Sequence, residues 1–308
     1  MTQADERAEG LTGLAETSLG VAFLRDLEHQ RADRLFADPF ARLFLDAAGD
    51  VGASWTNVPS GPSGPAGPGF IDLMADQVAV RTVALDTALL EAAAAGRTQV
   101  VLLACGMDAR AYRLDWPVGT RVFQVDFAAV LDFRARALRA AGASPRCEVA
   151  DVATDLREDW GAALRAAGFD PTARTAWLAE GLVYGLPSVA ADGLLHAISA
   201  LSAPGSTLAL DHGEDGELLR AARTAVSPDF TDLWQGGPRT ELDVWFRRGG
   251  WAPLIRDIGL VAVKYGRPTP KAFDQRRAGT GRGWLIQAMR QPLPAGDVPQ
   301  GLAGASAP

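Results

Sequence analysis

Short, largely apolar runs punctuate the middle of the chain: residues 99–104 (QVVLLA), 121–126 (RVFQVD), 175–179 (TAWLA) and 207–210 (TLAL), with a further strand, less apolar, read at 146–150 (RCEVA). Runs of this kind, without polar alternation, are expected of strands covered on both faces. The stretches between them carry helical spacing and predict helices over 128–141, 157–167 and 188–201. Strand and helix alternate with short connections, so the pattern reads as repeated β-α-β units building a mainly parallel sheet. Residues 260–265 and 283–289 read as two further strands. Ahead of the sheet, Leu14, Leu19, Val21, Ala22, Leu24 and Leu27 recur at helical spacing over 14–30. The pair Asp38-Pro39 introduces a second short helix, because proline suits the first helical turn. Residues 71–95 form one long Ala-rich helix, stopped by Gly96.

Between these helices lies 57–69 (NVPSGPSGPAGPG), a Pro/Gly/Ser segment unsuited to regular structure and read as a loop that orders over a bound substrate. The expected organisation is a disordered start (1–13), an N-terminal helical cap (14–96), a ligand-binding α/β core (97–290) and a loose tail (291–308). A formal net charge of −7 argues against a non-specific nucleic-acid binder and against docking on an anionic membrane. No apolar run reaches the ~20 residues of a membrane span, and the polar start lacks a signal-peptide pattern, so the expected location is the cytoplasm. The two cysteines, Cys105 and Cys147, stand apart from any Cys or His at metal-binding spacing and read as small buried hydrophobes beside strands. No metal site is expected.

In an open α/β sheet, ligands bind beyond the carboxyl ends of the strands. After the first run comes Cys105-Gly106-Met107-Asp108, where one glycine permits a tight turn and a close ligand approach. After the second comes Asp126, twenty positions past Gly106, the usual distance for a ribose-hydroxyl acceptor. The turn reads GMDARAY, with a single glycine and a carboxylate at Asp108 where a pyrophosphate would sit. Such a site repels a dinucleotide but accepts a nucleoside carrying a sulfonium, so S-adenosylmethionine suits it better than NAD. Asp155 and Leu156, after the third strand, offer a carboxylate and an amide to an adenine ring; the alternative for Asp155 is a helix N-cap. Glu180 ends the fourth strand, where a buried carboxylate needs a partner or a function. Arg81, on the long helix, is placed to pair with a ligand carboxylate as a bidentate fork.

These residues sit in segments that resemble the leucine carboxyl methyltransferase family, particularly its actinobacterial S-adenosylmethionine-dependent branch. The segments are TSLGVAFLRDLE, LFADPFA, VRTVALD, VVLLACGMDARAYRL, VFQVDFAAVL, DLREDW and TAWLAEGLVYGLP, in order from about residue 17 to 290. The resemblance implies a Rossmann-like class I methyltransferase fold, a mainly parallel seven-stranded sheet with helices on both faces. It also implies that Arg81 holds the methionine carboxylate, that Ala104, Cys105 and Gly106 form the first motif, and that Asp126 binds the ribose. Asp155 and Leu156 would contact adenine, with Glu180 near the methionine end. This chain has Ala-Cys-Gly where the family favours Gly-Ala-Gly, and Tyr184 one place ahead of the usual tyrosine.

Methyl transfer is an in-line displacement at an activated carbon, so positioning and water exclusion carry most of the acceleration. The expected acceptor is a carboxylate or hydroxyl of a small, polyketide-type metabolite. A hydroxyl would benefit from a base; His212, after the fifth strand, is the candidate base or substrate contact, and Tyr184 a candidate cleft residue. A protein carboxyl methyltransferase, or a cofactor-binding descendant promoting another reaction such as a cyclisation, are the alternatives, with NAD-dependent oxidoreduction the weakest.

Overall fold

The computed structural model describes residues 14–56, 69–226 and 234–292. All of the predicted loop over 57–69 except Gly69, and most of the expected tail, lie outside the described residues, as does the start of the chain.

The N-terminal helices are α1 (Leu14–His29), α2 (Pro39–Ala47) and α3 (Asp50–Thr56), followed by the long α4 (Phe70–Ala94). Helix α2 starts where Asp38 and Pro39 place it: the Asp38 carboxylate caps the Phe40 amide, with proline in the first turn. Helix α4 is apolar nearly all round because it is buried along its length. Its first half (Ile71, Leu73, Met74, Val78) joins the core of the N-terminal helices, and its second half (Leu85, Leu89, Ala92, Ala93) lies on the sheet.

The core then runs β1 (Gln99–Leu103), α5 (Arg110–Arg113), β2 (Arg121–Asp126), α6 (Ala128–Ala140), β3 (Glu148–Ala153), α7 (Trp160–Ala166), β4 (Thr175–Ala179), α8 (Ser188–Ala200) and β5 (Thr207–Gly213). It ends with α9 (Glu217–Val226), α10 (Leu242–Arg248), β6 (Trp251–Asp257), α11 (Ile258–Lys264) and β7 (Gly283–Arg290). The strands form one 7-stranded sheet in the order β3-β2-β1-β4-β5-β7-β6. The pairs among β1 to β5 are parallel, while β7 inserts antiparallel between β5 and β6. This is the expected Rossmann-like arrangement, a mainly parallel sheet with helices on both faces and the N-terminal helices packed beside it.

Alternate side chains of each central strand enter different cores. Val100 and Leu102 meet α4, while Val101 and Leu103 join Trp160, Leu164, Leu195 and Ile198 from α7 and α8. Burial on both faces explains why these strands read as continuous apolar runs. The heaviest packing is aromatic: Trp177 on β4 lies 6.1 Å from Trp160 and 5.5 Å from Phe169 between ring centroids.

Two predicted elements differ. Residues 260–265 are not a strand but most of α11, whose apolar side chains Ile258, Val261 and Ala262 recur at helical spacing and are buried, while Leu260 and Val263 stand in solvent. Asp257 caps that helix through the Gly259 and Leu260 amides. The strand in this region is β6, which is not among the predicted elements; it holds Pro253 and several polar residues and forms the sheet edge, where a missing N–H is tolerated. Helix α7 begins at Trp160, later than predicted, and its cap is Asp159, not Asp155. Helices α3, α9 and α10 are additional to the predicted elements.

Candidate functional site

A cavity of about 290 Å³ opens at the carboxyl ends of β1, β2 and β4. Helix α1 covers it through Thr17, Ser18, Gly20, Val21, Leu24 and Arg25, and α4 walls it with Phe70, Met74, Val78 and Arg81. The N-terminal helices therefore supply over a third of the lining.

The turn after β1 is shaped by backbone in the left-handed region. Gly106 has φ 48, and Ala104, with φ 47, is the one non-glycine residue with positive φ among the described residues. The Gly106 amide donates to Oδ2 of Asp126 at 2.7 Å, and the Phe127 amide donates to Oδ1 at 2.8 Å. Asp126 thus ends β2 with its carboxylate fixed by two amides, facing the cavity and 9% exposed. Each oxygen keeps a lone pair for a ligand hydroxyl. Burial raises its pKa, against the pull of those amides. Arg134 of α6 braces the turn, donating to the Asp108 carbonyl and, at 3.3 Å, to Cys105 Sγ. Burial pushes the Cys105 thiol well up, so it packs as a neutral group.

Beside this turn lies a buried ionic network. Glu180, at the end of β4, accepts from Arg25 Nη2 and Arg81 Nε at 2.9 Å through Oε1 and from Arg110 Nη1 at 2.6 Å through Oε2. Arg81 Nη1 reaches Asp211 Oδ2 at 3.0 Å, and the other Asp211 oxygen accepts from the Gly181 amide at 2.7 Å. Arg110 also pairs with Asp86 and Asp108, and Arg113 with Asp86 and, at 3.7 Å, Asp38. Four guanidiniums face five carboxylates out of reach of bulk solvent, a formal excess of one negative charge, and burial raises the pKa of Asp38, the most loosely paired of the five. Burial alone would raise the pKa of Glu180, but Arg110, Arg25 and Arg81 hold it well below the usual carboxylate range. Asp108 is lowered likewise, burial being overcome mainly by Arg110 and Arg25.

The rest of the lining is apolar and aromatic, with Leu24, Trp55, Phe70, Met74, Val78 and Trp234. Tyr184 stacks on Trp234 with ring centroids 3.9 Å apart. The Gln235 and Gly236 amides both bond the Tyr184 carbonyl, so the two rings sit on tied backbone. Burial raises the pKa of the Tyr184 hydroxyl strongly.

Of the residues singled out from sequence, Arg81, Ala104, Gly106, Asp126, Glu180 and Tyr184 converge on the cavity. Two of the Arg81 nitrogens are engaged by protein carboxylates, so it is part of the network, not an isolated fork. Asp155 and Leu156 lie outside the lining, yet the Thr154 amide bonds the Asp126 carbonyl at 3.0 Å and places them beside that strand end. The Asp155 side chain pairs with Arg157. His212 is also outside the lining: it stacks on Trp284 at 5.9 Å, and burial lowers its pKa, leaving it neutral at pH 7. Arg25, Asp86, Arg110 and Asp211 escaped the sequence reading. Their one sequence signal was charge inside an apolar context, as in VALDTALL and LALDHG.

The leucine carboxyl methyltransferase family profile matches residues 18–199. The chain belongs to that family. The match takes in Arg81, Gly106, Asp126 and Glu180 but ends before β5, so this leucine carboxyl methyltransferase family member carries Trp234 and α9 beyond it. A protein of Streptomyces avermitilis, provisionally named an S-adenosyl-L-methionine-dependent methyltransferase, is 41% identical over 293 residues, covering 94% of this chain and 100% of its own. A similarly named protein of Mycobacterium avium is 38% identical over 316 residues, with 91% and 100% covered. Among solved structures, a provisionally assigned methyltransferase of Thermobifida fusca shares the fold with a TM-score of 0.51, at 19% identity over 88% of this chain and 94% of that one. Among the described residues, no helix is long and apolar enough to cross a membrane.

Proposed function

We propose that this S-adenosylmethionine-dependent methyltransferase methylates an oxygen, carboxylate or hydroxyl, of a small molecule. The observation carrying the reading is the cavity itself, in which a buried network with one excess negative charge adjoins an apolar and aromatic lining. The residues present suit the cofactor. The excess negative charge complements a sulfonium and an ammonium. Arg25, which lines the cavity, keeps a buried Nε donor without a hydrogen-bond partner, a source of complementarity for a carboxylate. Gly106 keeps the backbone bare where a Cβ would come 2.7 Å from Ser18 Cβ.

In this reading Asp126 takes the ribose hydroxyls, the turn from Ala104 to Gly106 lies along the nucleoside, and Arg81 and Glu180 hold the methionine end. Asp155 and Leu156 serve the adenine. When bound, the cofactor supplies a methyl group already activated by its sulfonium. The protein orients the acceptor against it and, through α1 and α3, excludes water.

Among the described residues no histidine lines the cavity, its carboxylates are amide-bound or ion-paired, and the Tyr184 hydroxyl is held protonated. That environment favours an acceptor already ionised at neutral pH, as a carboxylate is, over one that needs a base.

The test is transfer of tritiated methyl from S-adenosylmethionine to a panel of small carboxylic acids and phenols. Label that is released as methanol by mild alkali is the expected outcome and marks an ester. Label resistant to alkali and attached to nitrogen or carbon would overturn oxygen transfer.

A further inference from the structure

Arg223, on α9, is the least satisfied cation of the cavity. It lines the cavity and is 3% exposed, yet Nε, Nη1 and Nη2 all lack a hydrogen-bond partner. Among the described residues its one ion pair, Nη1 to Asp215 Oδ1 at 2.8 Å, is shared, because Asp215 also pairs through Oδ2 with Arg220. Arg220 is half exposed and takes the other Asp215 oxygen, so the carboxylate is not given over to Arg223 alone. The Arg223 guanidinium also lies 4.8 Å from the centre of the Trp234 ring, which stacks on Tyr184. That contact orients the group without using its N–H donors. A buried guanidinium that leaves its hydrogen bonds unmade is costly unless something supplies the acceptors.

We propose that Arg223, seated on Trp234, is a specificity-determining residue that selects methyl acceptors carrying an anionic group on an apolar or aromatic body. The inference rests on the function proposed above and narrows its substrate class. In the proposed reading the network at Glu180 is taken up by the methionine end of the cofactor, so an anionic acceptor needs a cation of its own, and Arg223 is a separate one in the cavity lining. A guanidinium offers a planar pair of donors to a carboxylate or phosphate. The apolar body then lies against Trp55, Phe70 and Met74.

The experiment measures binding by titration calorimetry, with S-adenosylhomocysteine present and absent. The probes are a panel of aryl- and alkyl-carboxylic acids, each paired with its neutral primary amide, titrated into the wild type, R223Q and R223K. At least one acid is expected to bind the wild type about tenfold or more tightly than its amide. R223Q is expected to abolish that preference and R223K to restore part of it, while both variants keep wild-type affinity for S-adenosylmethionine, which shows that they are folded. If no acid outbinds its amide, or if R223Q keeps the preference, the proposal is overturned. Loss of S-adenosylmethionine binding in the wild type would sink the methyltransferase reading instead, and the acid–amide comparison without nucleoside would still judge Arg223.

Discussion

A side chain at position 106 finds neither relaxed backbone nor space, and its neighbour at 104 shows the same strain already accepted. An alanine at 106 would put Cβ 2.7 Å from Ser18 Cβ on a backbone with φ +48. G106A is therefore expected to cost about 1–3 kcal/mol in urea unfolding and to weaken S-adenosylmethionine binding, since α1 must shift off the turn. Ala104 is the converse, an L-residue held at φ 47, a conformation costing roughly 1–2 kcal/mol. Glycine there removes the strain and returns about 0.5–1 kcal/mol as unfolded-chain freedom. A104G is thus expected to be neutral or slightly stabilising; a clear loss would show that the strain lies elsewhere. Asp126 is testable by charge alone. Both of its oxygens accept from backbone amides, so in D126N an NH2 must face an N–H donor. The expected result is about 10- to 100-fold weaker S-adenosylmethionine binding by calorimetry, and unchanged affinity would remove Asp126 from the cofactor site.

Between elements, the network ties α1, α4, α5, β4 and β5 together, and Glu180 is its hub. Removing one charge from a buried pair costs on the order of 3 kcal/mol because its partners are left uncompensated, so E180Q is expected to unfold at clearly lower denaturant at neutral pH. The sign of the pH dependence follows from the depressed pKa. A carboxyl held well below its ordinary 4.5 when folded stabilises the protein above that value and loses the contribution as pH falls toward the folded pKa. The stability gap between wild type and E180Q should therefore narrow from about pH 6 to about pH 3; a constant gap would mean that Glu180 acts by shape, not charge. These elements were not equally legible in sequence. Strands β1, β2 and β4 declare themselves because both faces are buried, and Asp126 and Glu180 are conspicuous as acids ending such strands. The edge strand β6 hides, since it is half solvated and holds Pro253. Helix α11 reads as a strand because LVAVKY is β-branched and its seven residues span too few turns for the period to show. Arg25 and Arg110 carry only the weak signal of charge in an apolar context, because ion pairs between residues distant in sequence leave no local pattern of their own. Arg223 is hidden for a second reason: α9 is not among the predicted elements, and only the folded chain brings it to the cavity.

Over the whole molecule, cap and sheet share one site. Leu19, Phe44 and Leu73 of the N-terminal helices pack in the same core as Phe133 of α6 and Leu285 of β7. A ligand in the cavity touches α1, α3 and α4 on one side and the ends of β1, β2 and β4 on the other. The cap should therefore not melt ahead of the core, and a ligand should stabilise both at once. Saturation with S-adenosylmethionine at 100 times its dissociation constant adds about 2.7 kcal/mol to the folded state. For a folded body of this size, about 2–4 °C per kcal/mol applies, so the midpoint is expected to rise by about 5–10 °C in a single transition. Calorimetric scans with and without S-adenosylmethionine check this, with NAD as the control, because the carboxylates around the glycine turn repel a pyrophosphate. Two separated transitions, with only the upper one raised, would mean that the cap folds independently and contributes nothing to holding the nucleoside. A shift with NAD equal to that with S-adenosylmethionine would mean that the charge of the buried network does not choose the ligand, and the assignment of the cofactor to its sulfonium would lose its physical basis.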